Sequence, residues 1–196
     1  GLSMRSKGDL EAAIDSYKKA IKINPDYAEA YNNMGVVLEN KGDLEAAIDS
    51  YKQAIKINPD YAEAYNNMGV SLQYKGDLKA AIDSYKQALI IKPDYSEAHN
   101  NMGVTLYENG DLLGTIGAYR QALKIEPNSA KIWNSLQFPL QSMKFQIPAR
   151  DGSLSMLNPQ VDSKHFQIAK SVLNYRLHLG EANAERYLNE ASSLLS

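Results

Sequence analysis

Apolar residues in this chain recur at helical spacing, in short runs separated by turn residues. In residues 62–95, Tyr65, Met68, Gly69 and Leu72 fall at i, i+3, i+4 and i+7. After Gly76-Asp77 a second set, Leu78, Ala81, Ile82, Tyr85, Ala88 and Leu89, keeps the same rhythm. The pattern predicts two amphipathic helices joined by a tight turn. Gly76 can close the first helix in a left-handed conformation, and Asp77 can cap the free N–H groups that begin the second. Pro93 ends the second helix, and Asp94 restarts the pattern. Gly69 and Ala81 carry almost no side chain, so the two helices are expected to approach closely.

The same text stands before this unit as residues 28–61 and, loosened, after it as residues 96–129. Gly35, Gly69 and Gly103 are 34 residues apart, as are Gly42, Gly76 and Gly110, and Pro59, Pro93 and Pro127. A fixed period of this length marks a repeat array. Helices of about 14 residues are marginal alone, so each pair must bury its apolar stripe against its neighbours. The expected fold is all-α, an α-solenoid of antiparallel helix pairs.

These residues resemble the tetratricopeptide repeat, whose pattern is W-x2-L-G-x2-Y, A-x3-F and A-x4-P. Residues 62–95 match it with Tyr65, Met68, Gly69, Leu72, Ala81, Tyr85, Ala88 and Pro93, and residues 28–61 with Tyr31, Met34, Gly35, Leu38, Ala47, Tyr51, Ala54 and Pro59. Residues 96–129 match less well, with His99 in the first place and Thr115 where a small Ala belongs. The resemblance spans roughly residues 1–136 and implies a superhelix whose inner face binds protein.

Shifting the period back by 34 places Gly1 at Gly35, Gly8 at Gly42 and Pro25 at Pro59, so residues 1–27 read as a partial unit with a truncated first helix and an intact second one. This start suggests a piece of a longer protein. In residues 96–129, Gly114, Thr115 and Gly117 lower helix propensity by up to about 1 kcal/mol per Gly. Residues 130–143 begin a degenerate unit with Trp133 before Pro139 interrupts it, and residues 144–160 read as an irregular connection. Residues 161–196 carry Phe166, Ile168, Val172, Leu173 and then Tyr187, Leu188 and Leu195, which predict a C-terminal helix pair capping the array.

Composition narrows the function. A formal net charge of −2 with no basic run gives no field for nucleic acid or an anionic membrane. No apolar run approaches the roughly 18 residues of a membrane span. The absence of Cys removes disulfides and thiolate metal sites and suits a cytoplasmic location. His99, His165 and His178 lack ligand partners at metal-binding spacing, and there is no Walker loop, GxSxG or nucleophile with a base, so no cofactor, metal or catalytic role is expected. Tyr51, Tyr85 and Tyr119 occupy packing positions of the second helices.

The side of each first helix turned away from this packing carries Glu29, Asn32, Asn33 and Val36, then Glu63, Asn66, Asn67 and Val70, then Glu97, Asn100, Asn101 and Val104. An Asn amide offers both donor and acceptor, so a row of them can pair with the main chain of an extended peptide. The row is similar to the asparagine ladder of O-GlcNAc transferase superhelices. Asn33, Asn67 and Asn101 take the corresponding place, while the fourth unit keeps Asn134 but has Ser135 next, where the row fails. Duplication alone also leaves identical Asn residues, although Val37, Ser71 and Thr105 have diverged meanwhile. Other tetratricopeptide domains hold acidic chaperone tails with a Lys, Arg and Asn clamp. Here Asn32, Val36, Glu97 and Asn101 stand at those places, which disfavours acidic tails and favours a neutral or basic ligand. The expected function is a non-catalytic interaction scaffold for an extended peptide. Two alternatives are the substrate-presenting part of a larger glycosyltransferase or sulfotransferase, and a module that self-associates by stacking repeats end to end.

Overall fold

The computed structural model describes residues 7–132 and 134–135. The expectations for residues 1–6, for Trp133, and for the degenerate unit, the connection and the C-terminal helix pair beyond residue 135 lie outside the described residues. Within them, seven helices follow one another: α1 Lys7–Ile23, α2 Ala28–Lys41, α3 Leu44–Ile57, α4 Ala62–Lys75, α5 Leu78–Ile91, α6 Ser96–Glu108 and α7 Leu112–Ile125. The chain re-enters helix at residue 130.

The turns form as the residue chemistry requires. Gly42, Gly76 and Gly110 have φ of 88°, 89° and 81°, a left-handed conformation that glycine adopts without steric cost. The Gly42 N–H bonds to Glu39 O, and the Asp43 N–H reaches back to Leu38 O at 2.9 Å, closing α2. The carboxylates of Asp43, Asp77 and Asp111 then accept from the N–H groups of Ala46, Ala80 and Gly114 and start the second helices. The first helices start differently. Tyr27, Tyr61 and Tyr95 precede them with no side-chain cap.

Each helix packs on the next in sequence, and α2 also touches α4, as α4 touches α6. No comparable contact joins α3, α5 and α7, so the stack curves with α2, α4 and α6 on its inner side. The core of each pair is a tyrosine ring lying on a glycine. Tyr51, Tyr85 and Tyr119 are wholly buried, and a β-carbon built on Gly35 or Gly69 would stand 2.6 Å from the ring of Tyr51 or Tyr85. On Gly103 the same carbon would stand 3.0 Å from Tyr119.

Weak propensity does not break α7. Thr115 is buried with its Oγ1–H donating to Asp111 O at 2.7 Å, and Ile116, Tyr119, Ala122 and Leu123 are all buried. Burial of such side chains is worth about 1.5–3 kcal/mol each, which exceeds the loss at Gly114 and Gly117. Ion pairs Lys41–Glu11 at 2.7 Å and Lys75–Glu45 at 2.6 Å join successive units along the outer edge. No helix among the described residues is long and apolar enough to cross a membrane.

The glycine contacts give a graded expectation. Gly69→Ala gains about 1 kcal/mol of helix propensity but forces a methyl into the Tyr85 ring, an overpacking worth about 1–3 kcal/mol. Gly69→Ala is therefore expected to lower the melting temperature, and Gly103→Ala to leave it within a few degrees of the parent. Equal effects of the two would mean that the ring contact does not limit the helix approach.

Candidate functional site

The inner face is built from α2, α4 and α6, and its centre is a chain of asparagine amides. Within a helix, adjacent residues point about 100° apart, so the two Asn of a pair cannot share a direction. Asn32, Asn66 and Asn100 turn inward and are 4%, 2% and 3% exposed. Asn33 is exposed, and Asn67 and Asn101 are half-buried.

These six amides form one hydrogen-bonded relay. Asn100 Nδ2 donates to Asn101 Oδ1 at 3.5 Å, and Asn101 Nδ2 crosses to Asn66 Oδ1 of the preceding unit at 3.1 Å. Asn66 Nδ2 donates to Asn67 Oδ1 at 3.5 Å, and Asn67 Nδ2 crosses to Asn32 Oδ1 at 3.1 Å. Asn32 Nδ2 ends the sequence on Asn33 Oδ1 at 3.4 Å. Every bond runs the same way, from the third unit to the first. An amide has two N–H donors and two acceptor lone pairs, so Asn67 and Asn101 each keep one of both for another partner.

The relay stops where the repeat text changes. Asn67 and Asn101 stand 35 residues after the amides to which they donate, and 35 residues after Asn100 stands Ser135. Its shorter side chain donates instead to Lys131 O at 3.0 Å, and Asn100 Oδ1 is left buried without a partner. Asn134 is exposed.

Both members of each pair were expected on the ligand side, and Asn32, Asn66 and Asn100 are buried beneath Asn33, Asn67 and Asn101 in this structure. A signal for this existed in the sequence. Asn32 lies four residues after Ala28 and three before Gly35, both on the buried side. Around the relay, Glu29, Glu63 and Glu97 are exposed, Val36 is 37% exposed, and Val70 and Val104 are half-buried. Glu97 is bridged by Lys131 at 3.8 Å.

Past the valines, the inner face carries polar contacts that the sequence did not announce. The Ser71 hydroxyl of α4 donates to Glu39 Oε2 of α2. One unit on, Gln73 accepts from Tyr85 Oη at 3.4 Å and donates to Glu108 at 2.9 Å. Burial holds the Glu39 carboxyl above its ordinary 4.5, against a smaller opposing effect of the Ser71 bond. On the outer side, His99, Ile82, Met102, Leu106, Gly114 and Gly117 line a cavity of about 380 Å³. His99 Nε2 lies 3.0 Å from Pro93 O, its Nδ1 is buried without a partner, and burial lowers its pKa from the ordinary 6.5. No group of three metal-ligating side chains occurs among the described residues.

The TPR repeat family profile matches residues 1–42, 40–76 and 72–110. Among solved structures, a crystal structure of MamA superposes with a TM-score of 0.66 at 23% identity, over 89% of this chain and 92% of that one. A second MamA structure gives 0.63 at 27% identity, over 71% and 76%. The first TPR of Spaghetti (RPAP3), bound to the HSP90 peptide SRMEEVD, gives 0.58 at 20% identity, over 59% of this chain and 92% of that one. None of the curated proteins matches the chain.

Two outcomes follow from the polar contacts. Asn66→Ala removes one hydrogen bond each from the half-buried Asn67 and Asn101 and is expected to cost about 0.5–1.5 kcal/mol per bond in denaturant unfolding, whereas Ser135→Asn, which restores a donor for the buried Asn100 Oδ1, is expected to stabilise by about 1 kcal/mol. A neutral Asn66→Ala would remove the relay as a structural element. Glu39 binds a proton more readily in the fold, so its charge destabilises the fold above that raised pKa, and the penalty fades as pH falls through the window toward 4.5. Glu39→Gln, which copies Gln73, is expected to raise the melting temperature at neutral pH, with the gap to the parent closing on acidification. A gap that does not change with pH would assign the effect to packing.

Proposed function

The chain belongs to the TPR repeat family, whose domains are generally protein–protein interaction modules, and from that premise we propose that its inner face binds an extended peptide through Asn33, Asn67 and Asn101. The observation that carries this reading is the relay itself. It holds each partly exposed amide in one orientation, with a free N–H and a free lone pair at Asn67 and Asn101. An extended main chain presents the complementary C=O and N–H groups whatever its side chains are. Glu29, Glu63 and Glu97 border this line on one side and Val36, Val70 and Val104 on the other, and both rows contact the ligand's side chains.

Preorganisation supports the reading energetically. An amide that must be ordered on binding loses side-chain entropy, and one already locked by its neighbours loses little. Each neutral hydrogen bond still nets only about 0.5–1.5 kcal/mol, so three such contacts without deep pockets give weak and sequence-tolerant binding. An acidic tail of the SRMEEVD kind, which Spaghetti binds, meets Glu97 here in place of a basic residue.

Replacing Asn33, Asn67 and Asn101 together with Ala is expected to weaken binding of peptides selected from a displayed random library by at least about tenfold. Because Asn32 Oδ1 and Asn66 Oδ1 lose their donors, the variant is expected to melt at a lower temperature, so binding is compared at a temperature where its helical circular dichroism equals the parent's. Affinity equal to the parent's would refute the amide row as the binding element.

A further inference from the structure

The turn between α6 and α7 departs from the two earlier turns of its kind at one residue. Lys41 and Lys75 stand just before Gly42 and Gly76, and in the third unit that place is held by Asn109, just before Gly110. It is the one Asn-Gly step in the sequence. The backbone keeps the shared form, with the Gly110 N–H donating to Tyr107 O at 3.0 Å and the Asp111 N–H to Leu106 O at 2.9 Å. Asn109 is exposed, with φ −79° and ψ −3°.

An asparagine side chain can react with the main-chain nitrogen that follows it, and the next residue decides how readily. A β-carbon there shields that nitrogen, and a proline leaves it no N–H to lose. Asn24 and Asn58 are followed by Pro25 and Pro59. Gly110 presents neither obstacle. Ring closure requires Asn109 ψ to turn well away from −3°, which breaks the two turn bonds for the moment of reaction. Packing resists that opening weakly here. The cavity of about 380 Å³ lies against the turn and is lined by Leu106, Asp111, Gly114 and Gly117, and a β-carbon built on Gly110 would meet nothing within 4 Å. Exposed turns with little packed against them open at the lowest cost in free energy.

The residue opposite this turn has changed as well. The ion pairs of the first two junctions, Lys41–Glu11 and Lys75–Glu45, run from the end of a first helix back to the second helix of the preceding unit. One period after Glu45 stands Lys79 on α5, so at the third junction the cation has moved to the other side and faces the place of a neutral amide, Asn109. Among the described residues, neither of these two side chains has a hydrogen bond or an ion pair.

We propose that Asn109 is a site of spontaneous deamidation, and that the carboxylate formed there pairs with Lys79, completing the third inter-unit ion pair in the reverse sense. The Gly110 nitrogen gives its proton to hydroxide and attacks Asn109 Cγ. The Cγ–Nδ2 bond breaks, and Nδ2 takes up a proton and leaves as ammonia. Water then opens the five-membered imide. Cleavage between the Gly110 nitrogen and Cγ gives an aspartyl residue, whereas cleavage between that nitrogen and the main-chain carbonyl carbon gives an isoaspartyl residue with one more methylene in the main chain. Water is the only reactant consumed. The aspartyl form keeps the turn and adds a negative charge to it, and the isoaspartyl form lengthens the turn.

The test incubates the full chain at mildly alkaline pH beside the Asn109→Lys variant, which copies Lys41 and Lys75. Peptide mass spectrometry of timed samples is expected to find the amide at position 109 converted to a carboxylate ahead of every other asparagine, in both aspartyl and isoaspartyl forms. The matching acidic species on ion exchange should be missing from the variant. An Asn109 amide that persists while other asparagines convert, or conversion of all of them at one rate, would overturn the site. The pairing is read from the melting temperatures of the parent, Asn109→Asp, Lys79→Gln and the double variant. Asn109→Asp is expected to be better tolerated in the parent than in the Lys79→Gln background, and high salt should erase the difference. An equal shift in both backgrounds at low salt would remove the ion pair from the proposal and leave the deamidation site.

Discussion

A tyrosine ring laid flat against a glycine sets how closely the two helices of each pair can come, and the rest of the structure depends on that separation. Tyr51 on Gly35 and Tyr85 on Gly69 leave no room for one further carbon. With the pair held this tightly, the opposite side of the first helix is free to meet the first helix of the next unit. Because the repeat length does not change, the same positions meet at every step. The third pair is slacker, as its longer Gly103–Tyr119 spacing shows, and its second helix carries Gly114, Thr115 and Gly117.

The asparagine relay is a consequence of that regularity. A buried amide without a partner costs about 1–3 kcal/mol, and three of the six are buried. Strict repetition gives nearly all of their polar atoms a partner, and a slip of one residue between units would break every cross-unit bond at once. The relay thus specifies register as well as adding stability, in the manner of a buried asparagine in a coiled coil. This accounts for the constancy of the Asn pair without any ligand. Val37, Ser71 and Thr105 vary because that buried place accepts different solutions: Val37 packs, Ser71 bonds to Glu39 of the unit before, and Thr105 bonds to Asn101 O of its own helix.

The bonds that satisfy the buried Asn of each pair also aim its neighbour, so the amides that reach the surface are organised from below. The unpartnered oxygen of Asn100 shows the limit of the device. Where Ser135 replaces an Asn, the stack loses its polar spine, and Lys131 begins to neutralise the acidic row.

Helix order, the left-handed glycines, the aspartate caps and the buried tyrosines were all legible in the sequence, because each depends on local chemistry repeated at one spacing. The inner face was legible only in part. Counting residues placed the Asn pairs on the correct helices, but the direction of each amide depends on which side chain stands 35 residues away in a neighbouring helix. The same holds for Glu39 and Ser71. The sequence by itself determined that this is a stack of short helix pairs with a polar inner row. Only the tertiary structure decided which half of that row is buried in the stack and which half reaches the surface, because that division is made by hydrogen bonds between units.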